Sequence, residues 1–446
     1  MLSIHNTHIS LTQKIDFYYI FIYLYNYIKT FYTFAHLKRR FILYFMYKTA
    51  KGTKDLTGEE FYRVKFLIDI AEELFIANGG VPLDTPIFER TDVLLGKYGE
   101  EAETKLIYKL ADQGGEDLSL RYDLTIPFVR YIKEHGIKKM RRYSIGKVYR
   151  RDQPNPRQGR LREFYQADFD IVGGKQDDML TEATLLNIVA RFMSKLNLKY
   201  KILINDVRNL QTILENKLRI TSWRRITPII DKLDKQSFET LIPEFLAVDP
   251  TINLDELKQA LNDPNPCNSD TASDFTKLKE AANIFGFSDF LIFTNTLARG
   301  LDYYTGFIWE VKIDGIDSSI SAGGRYDNLL KTPTAGISFG ISRIASIITL
   351  GQCNLSQNKD CFVATVGNIS ITDKLLVIKT LQNSNNYTAV LYDLTSENRK
   401  LCSVLAYAAS AEITYVAIIS ENEWNAERII TIKNMKLRNE NVIHIN

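Results

Sequence analysis

Between Phe61 and Phe75 apolar residues recur at three- and four-residue spacing: Phe61, Val64, Leu67, Ile68, Ala71, Leu74 and Phe75. That period predicts an amphipathic helix beginning near Leu56, and Asn78-Gly79-Gly80 supplies its C-terminal stop. Strand and hairpin patterns follow from Val81 to about Gly174. A mostly helical block is predicted from Asp177 to about Phe293, opened by MLTEATLLNIVARFMSKL and broken by the polar run DPNPCNSDTASD. Strand-rich sequence returns at Leu297–Leu330 and leads to a strand-to-helix turn over Ala335–Leu350. After the polar linker Gly351–Asp360, strand and helix patterns alternate (CFVATVG, DKLLVIKTLQ, YTAVLYDL, RKLCSVLAYAASA, YVAIIS), which predicts a small α/β domain on a parallel sheet. The expected organisation is therefore an atypical segment 1–50, an α+β region in two parts (51–174 and 295–352), a helical insertion (175–294) and a C-terminal domain (360–446). Neither GxGxxG nor GxxxxGK[ST] occurs, so the two common nucleotide loops are absent.

Composition then narrows the chemistry. At 446 residues the chain is too long for one core, and its 45% hydrophobic and 24% charged residues are ordinary for a globular protein. The four cysteines form no CxxC pair, which speaks against a disulfide framework or a zinc site. Of the five histidines only His135 and His444 lie beyond residue 40, so a multi-histidine metal site or a Ser-His-Asp machine is excluded. Arginines, carboxylates and tyrosines must do the work.

The first fifty residues differ from the rest. They hold 14 of the 48 Phe and Tyr, and six Lys/Arg against the single Asp16. Three readings fit: translated AT-rich non-coding DNA with Met46 as the true start, a targeting segment, or an imperfect membrane anchor over Phe17–Leu37. Their net +5 leaves −2 for the remainder, so a polyanion must meet a local cluster. One is evident. Ten basic residues and one acidic residue, Asp152, lie between Lys138 and Arg162.

That cluster sits in KMRRYSIGKVYRRDQPNPRQGRLREFYQADFDIVGG, which reads as two antiparallel strands joined by a loop at about Asp152–Gly159. Alternation puts Tyr165, Ala167, Phe169 and Ile171 on one face of the second strand and Gln166, Asp168 and Asp170 on the other. Ser144, Gly146 and Val148 lead to Arg150 on the first. If these small residues lie beside the Gln/Asp face, the hairpin forms a platform with arginine at one end and carboxylates at the other. Such a platform suits a zwitterionic ligand; a solvated charged hairpin is the plainer alternative. Two further patches are LARGLDYYTGFIWEV, with Arg299 and the Tyr303-Tyr304 pair, and AGISFGISRIASIITL, where Arg343 opposes a helix dipole in the first turn.

Together with KGTKD, TPIFE, LSLRYDLTIPFVRY and SAGGRYD, these segments follow the order and spacing of the histidyl-tRNA synthetases, and the chain resembles the eukaryotic-type branch over about residues 50–446. The resemblance implies a class II catalytic domain of antiparallel sheet flanked by helices, a helical insertion and a C-terminal anticodon-binding domain. It implies a homodimer built around the Glu59–Glu89 region, with L-histidine, ATP, Mg2+ and tRNA(His) as ligands. The histidine site would comprise Asp123, Leu124, Thr125, Arg150, Gln166, Asp170, Arg299, Tyr303 and Tyr304. Asp123 would receive the α-ammonium, Arg150 and Arg299 would be catalytic, and Arg150 and Arg343 would hold ATP. Arg157, Arg160 and Arg162 would lie near the tRNA acceptor end. No protein-held metal and no stable membrane association are expected. The cytoplasm is the expected compartment, with mitochondrial targeting by the first fifty residues as the other reading.

Two departures stand out. Ser342 occupies the position before Arg343 where the family usually has an acid, and the C-terminal domain, with nine basic and nine acidic residues from Lys359 onward, is short. The rival class is a non-catalytic relative, such as an ATP-phosphoribosyltransferase regulatory subunit or a stress-kinase sensor domain. Such modules typically lose the catalytic arginines or the RGLDYY stretch, and both are present here.

Overall fold

A computed structural model describes residues 47–95, 106–111, 114–156, 159–173, 179–298, 303–316, 318–349, 360–384, 386–392 and 400–445. The first 46 residues, Arg157, Arg299 and most of the 351–360 linker lie outside the described residues. The chain divides into two compact units. One comprises Ile68–Ser346 with the stretch before Gly58, and the other Ile347–Asn446 with Gly58–Leu67.

The predicted first helix runs Gly58–Ala77 and stops at Asn78, whose side chain donates to Leu74 O at 2.8 Å while Gly79 takes φ +76°. The first unit then contributes strands β1 (Val81–Pro82), β2 (Phe88–Arg90), β3 (Leu118–Leu120), β4 (Met140–Tyr149), β5 (Glu163–Val172), β6 (Tyr200–Asp206), β7 (Leu291–Phe293), β8 (Phe307–Ile313), β9 (Ser321–Arg325) and β10 (Thr334–Phe339). Among the described residues, eight of these form one sheet in the order β1-β4-β5-β10-β9-β8-β6-β7, antiparallel except at its two edges.

The β4–β5 pair is the predicted hairpin, in the register Ser144↔Asp168 and Gly146↔Gln166. Its apolar face is closed by Phe75, stacked on Phe169 at 5.3 Å, and by Phe192 of helix Leu180–Lys195, stacked on Phe339 at 4.4 Å. Burial of these rings, worth about 2–3 kcal/mol each, commits the hairpin to show its other face, with Gln166 and Asp168, to the opposite side.

The helical insertion needs correction. Its proposed limits, 175–294, enclose β6 and β7, which are strands of the sheet. The insertion proper holds helices Trp223–Ile230, Phe238–Val248, Leu254–Asn262 and Ser269–Phe285 around a core that includes Trp223, Leu241, Phe245 and Leu257.

The second unit carries strands β11 (Cys361–Val366), β12 (Val390–Tyr392), β13 (Tyr415–Ser420), β14 (Ile429–Asn434) and β15 (Glu440–His444) in the order β12-β11-β13-β14-β15. The expected parallel pairing holds for β12, β11 and β13; β14 and β15 add an antiparallel hairpin, so the sheet is mixed. No helix of the described residues is long and apolar enough to cross a membrane.

Candidate active site

A cleft of about 610 Å³ opens over the polar face of β4, β5 and β10. Its floor stays low because the positions across from the polar row are small: Gly146 faces Gln166, Ser144 and Ser338 flank Asp168, and Gly336 faces Asp170. Glycine at 336 is required. A Cβ there would stand 1.9 Å from Asp170 Oδ1.

Arg150 leaves β4 at the turn and is held by its own bonds. Nε donates to Tyr122 O at 3.0 Å, Nη2 points at Gln166 Oε1 at 3.5 Å, and the guanidinium lies 5.2 Å from the Phe164 ring centroid. Gln166 donates through Nε2 to Ser338 Oγ at 2.5 Å. Near Arg150, Asp123 stands just before helix Thr125–Glu134, where its Oδ1 accepts the Ile126 N–H at 3.0 Å. Surrounding protein pushes the Asp123 carboxyl above its ordinary value despite Arg150 nearby. Leu124 contributes its carbonyl, which accepts from Arg142, and Thr125 begins the helix. Tyr303 and Tyr304, ring centroids 4.2 Å apart, close the same end, and burial raises the Tyr304 hydroxyl.

The cleft brings together Asp123, Arg150, Arg160, Gln166, Tyr303, Tyr304 and Arg343. Arg343 is anchored by a 2.5 Å bond from Nη1 to Ser319 O, and Gly159 of the hairpin loop packs against its backbone. Asp170 is not among the lining residues. It lies 3% exposed beside the fully buried Arg142, 2.8 Å from Oδ2, and its Oδ1 accepts the Tyr326 hydroxyl. Arg162 is likewise off the lining: Nε donates to Asp152 O at 3.0 Å, and its N–H to Gly52 O of the KGTKD segment at 2.7 Å.

The basic cluster is therefore less available than its count suggests. Arg150 and Arg160 reach the cleft, Arg160 in an ion pair with Asp152, while Lys147 pairs with Glu163 at 2.8 Å and Arg141 donates to Asn78 O. Sequence reasoning passed over Lys235 of the insertion, Ser319–Ala322 and Ser338, all of which line the cleft. No motif marks Lys235, because a long-range approach places it. It also passed over Arg121 and Tyr326, and it counted Arg142 only as one of the ten basic residues of the cluster. Arg121 is 3% exposed and bridges Lys147 O (3.0 Å) to Thr85 O (2.7 Å), tying TPIFE to β4.

In charge terms the polar face sets three carboxylates (Asp123, Asp168, Asp170) against two guanidinium groups (Arg142, Arg150). Burial raises all three carboxyls, Asp168 to about 7. An excess of acid over guanidinium groups beneath a cleft that also holds Arg150 and Arg343 suits a ligand with both an ammonium group and a carboxylate or phosphate.

Residues 52–344 match the histidyl-tRNA synthetase family. The chain belongs to that family. Over 88% of its length it is 34% identical to a probable cytoplasmic histidine–tRNA ligase of Encephalitozoon cuniculi, covering 95% of that protein. Over 89% it is 35% identical to the mitochondrial histidine–tRNA ligase of Homo sapiens, covering 86% of it. The crystal structure of the histidyl-tRNA synthetase of Nostoc superposes with a TM-score of 0.72 at 22% identity, covering 89% of this chain and 97% of that one, which supports the class II fold. Ser342, the residue before Arg343, accepts the Tyr165 N–H through its Oγ at 2.9 Å and so ties helix Ile341–Ala345 to β5.

Proposed function

We infer that this protein is an aminoacyl-tRNA ligase that activates L-histidine with ATP and transfers it to tRNA(His). The observation that carries the inference is one cleft whose lining brings together Asp123, Gln166 and the tyrosine pair with Arg150 and Arg343. In this reading Asp123 and Gln166 receive the α-ammonium, Tyr303 and Tyr304 border the imidazole, and Leu124 and Thr125 shape the same wall. Asp170 braces the floor through Arg142 and Tyr326, and its charge favours a protonated ligand above it. Arg343 lies over the adenine, and Arg150 spans the α-phosphate and the reacting carboxylate.

The histidine carboxylate then attacks the α-phosphorus and pyrophosphate leaves. Arg150, with Arg299 by the family's pattern, stabilises charge on the five-coordinate phosphorus. The tRNA 3′-terminal hydroxyl next attacks the adenylate carbonyl and AMP leaves. No protein nucleophile is needed. Mg2+ is assigned to the ATP phosphates, the usual place for this ion in phosphoryl and nucleotidyl chemistry.

Arg157, Arg160 and Arg162 are assigned to the acceptor end of the tRNA, with Arg160 at the cleft itself. The exposed Val81, Ile87 and Phe88 within the Glu59–Glu89 region suit a homodimer interface there. The cytoplasm is the proposed compartment.

Pyrophosphate exchange with each of the twenty amino acids tests the assignment. The expected result is exchange with histidine alone, and Arg150→Ala should lower it about 10²–10³-fold, the scale of losing one preorganised donor. Exchange without histidine dependence would remove the assignment.

A further inference from the structure

On the polar face of the sheet, Asp168 has no part in the ligand contacts described above, yet it is 2% exposed and its Oδ1 has no hydrogen-bond partner. Leaving a buried carboxylate half-satisfied is costly, and the nearby Arg142 makes its 2.8 Å contact with Asp170 instead. Stability alone gives no reason for an acid here.

A reason emerges from the row in which it stands. Ser338 of β10 is its cross-strand neighbour, and Gln166 is the next residue on the same face of β5. Arg150 can only donate, so the part of the Gln166 amide turned toward its Nη2 must be the oxygen. The amide NH2 is then left to donate to Ser338 Oγ, as observed at 2.5 Å. Having accepted that bond, the Ser338 hydroxyl keeps one proton to donate, and its cross-strand neighbour Asp168 offers it a carboxylate. A donor-only guanidinium at one end and an acceptor-only carboxylate at the other set the same direction, Gln166 to Ser338 to Asp168, and the 3.5 Å contact to Arg150 is the looser of the two restraints.

We propose that Asp168 is a positioning residue which, through Ser338, fixes the Gln166 amide with its carbonyl oxygen toward the cleft and so shapes the site for the ammonium group of the amino acid. The proposal rests on the reading of this cleft as the histidine site. A protonated Asp168, or an asparagine in its place, can donate to Ser338; Ser338 can then donate to Gln166, and the amide is free to turn its NH2 toward the cleft. Donor would face donor. The charged and titratable groups around Asp168 are Arg142 from β4, Asp170 from β5, Asp123 from the turn before helix Thr125–Glu134, and Tyr304. Arg142 favours the carboxylate, whereas Asp123, Asp170 and burial oppose it, which brings its protonation near neutral pH.

The test is histidine-dependent pyrophosphate exchange by the unaltered protein, Asp168→Asn and Ser338→Ala between pH 6 and 8.5, with Tm recorded for each. At pH 8 the histidine KM of Asp168→Asn should rise about tenfold or more while the KM for ATP stays within about twofold, with Tm unchanged or higher. In the unaltered protein the histidine KM should climb as pH falls below about 7, and in Asp168→Asn that climb should be lost. Free histidine titrates in the same range equally for every protein, so the variant-to-parent ratio is the readout. Ser338→Ala, which keeps the carboxylate, should reproduce the loss of pH dependence and decides the matter if Asp168→Asn does not fold. Unchanged histidine KM and pH dependence in the folded variants would overturn the relay. So would parallel rises in both KM values with a lower Tm, which mark a structural carboxylate. If the unaltered protein shows no histidine-dependent exchange, the reading of the pocket falls and takes this proposal with it.

Discussion

Asp168 and Asp170 sit two residues apart on one strand face, and their opposite surroundings give opposite expectations. Asp170 has both oxygens engaged, by Arg142 and by Tyr326. Asp170→Asn leaves a fully buried guanidinium without its counter-ion and should cost about 3–5 kcal/mol at alkaline pH, where the carboxyl is ionised, and less as pH falls, read as a lower denaturant midpoint. Asp168 is raised to about 7 in the folded chain, above its unfolded value. Its contribution to stability is therefore full below the unfolded carboxylate range and is lost as pH rises through about 7. Between pH 5 and 8 the parent protein should lose stability, relative to Asp168→Asn, by about 1.4 kcal/mol per pH unit at most, and the two curves should separate most at pH 8. Urea titrations at three pH values measure it.

At the scale of elements, much of the sheet was legible because its determinants are local. Phe61 to Phe75 carry a helical period, and the β4–β5 hairpin shows alternation on both arms, so both appear as expected. Alternation also placed Gln166, Asp168 and Asp170 on one face. Which acid meets Arg142 depends on register, and the long connection between Tyr149 and Glu163 leaves that open until the β10 neighbour is known. β6 and β7 went unread because each is a short apolar run beside helices, and their partners lie far along the chain. The β14–β15 hairpin was missed although a signal existed: Asn434 and Asn439 bracket a turn between two alternating runs. Gly336 is the element-scale feature most open to test. Gly336→Ala would drive a methyl group into Asp170 Oδ1, so it should lower Tm by several degrees and shift the histidine KM together with it.

For the whole molecule, the family match begins at residue 52, and among the described residues those that line the cleft lie at or beyond Asp123. A chain starting at Met46 is therefore expected to keep histidine-dependent pyrophosphate exchange within about twofold of the full chain. Loss of exchange in that shortened chain, with its circular dichroism unchanged, would make the first segment part of the catalytic machinery.

Strand order has a consequence for how the protein is made. β5 lies between β4, its neighbour in the chain, and β10, whose Thr334 pairs with Val172. Roughly 160 residues must be added between those partners, which at about 5–20 residues per second takes roughly 10–30 s. Throughout that interval the emerging polypeptide carries β4 and β5 with one strand edge unpaired and Asp168 without its serine. The half of the cleft bearing Asp123 and Arg150 is on hand early; the half bearing Ser338 and Arg343 comes late. A ribosome-bound chain therefore lacks part of the cleft lining until the segment through Arg343 has emerged, and until then β5 presents an open strand edge of the kind that invites wrong pairing.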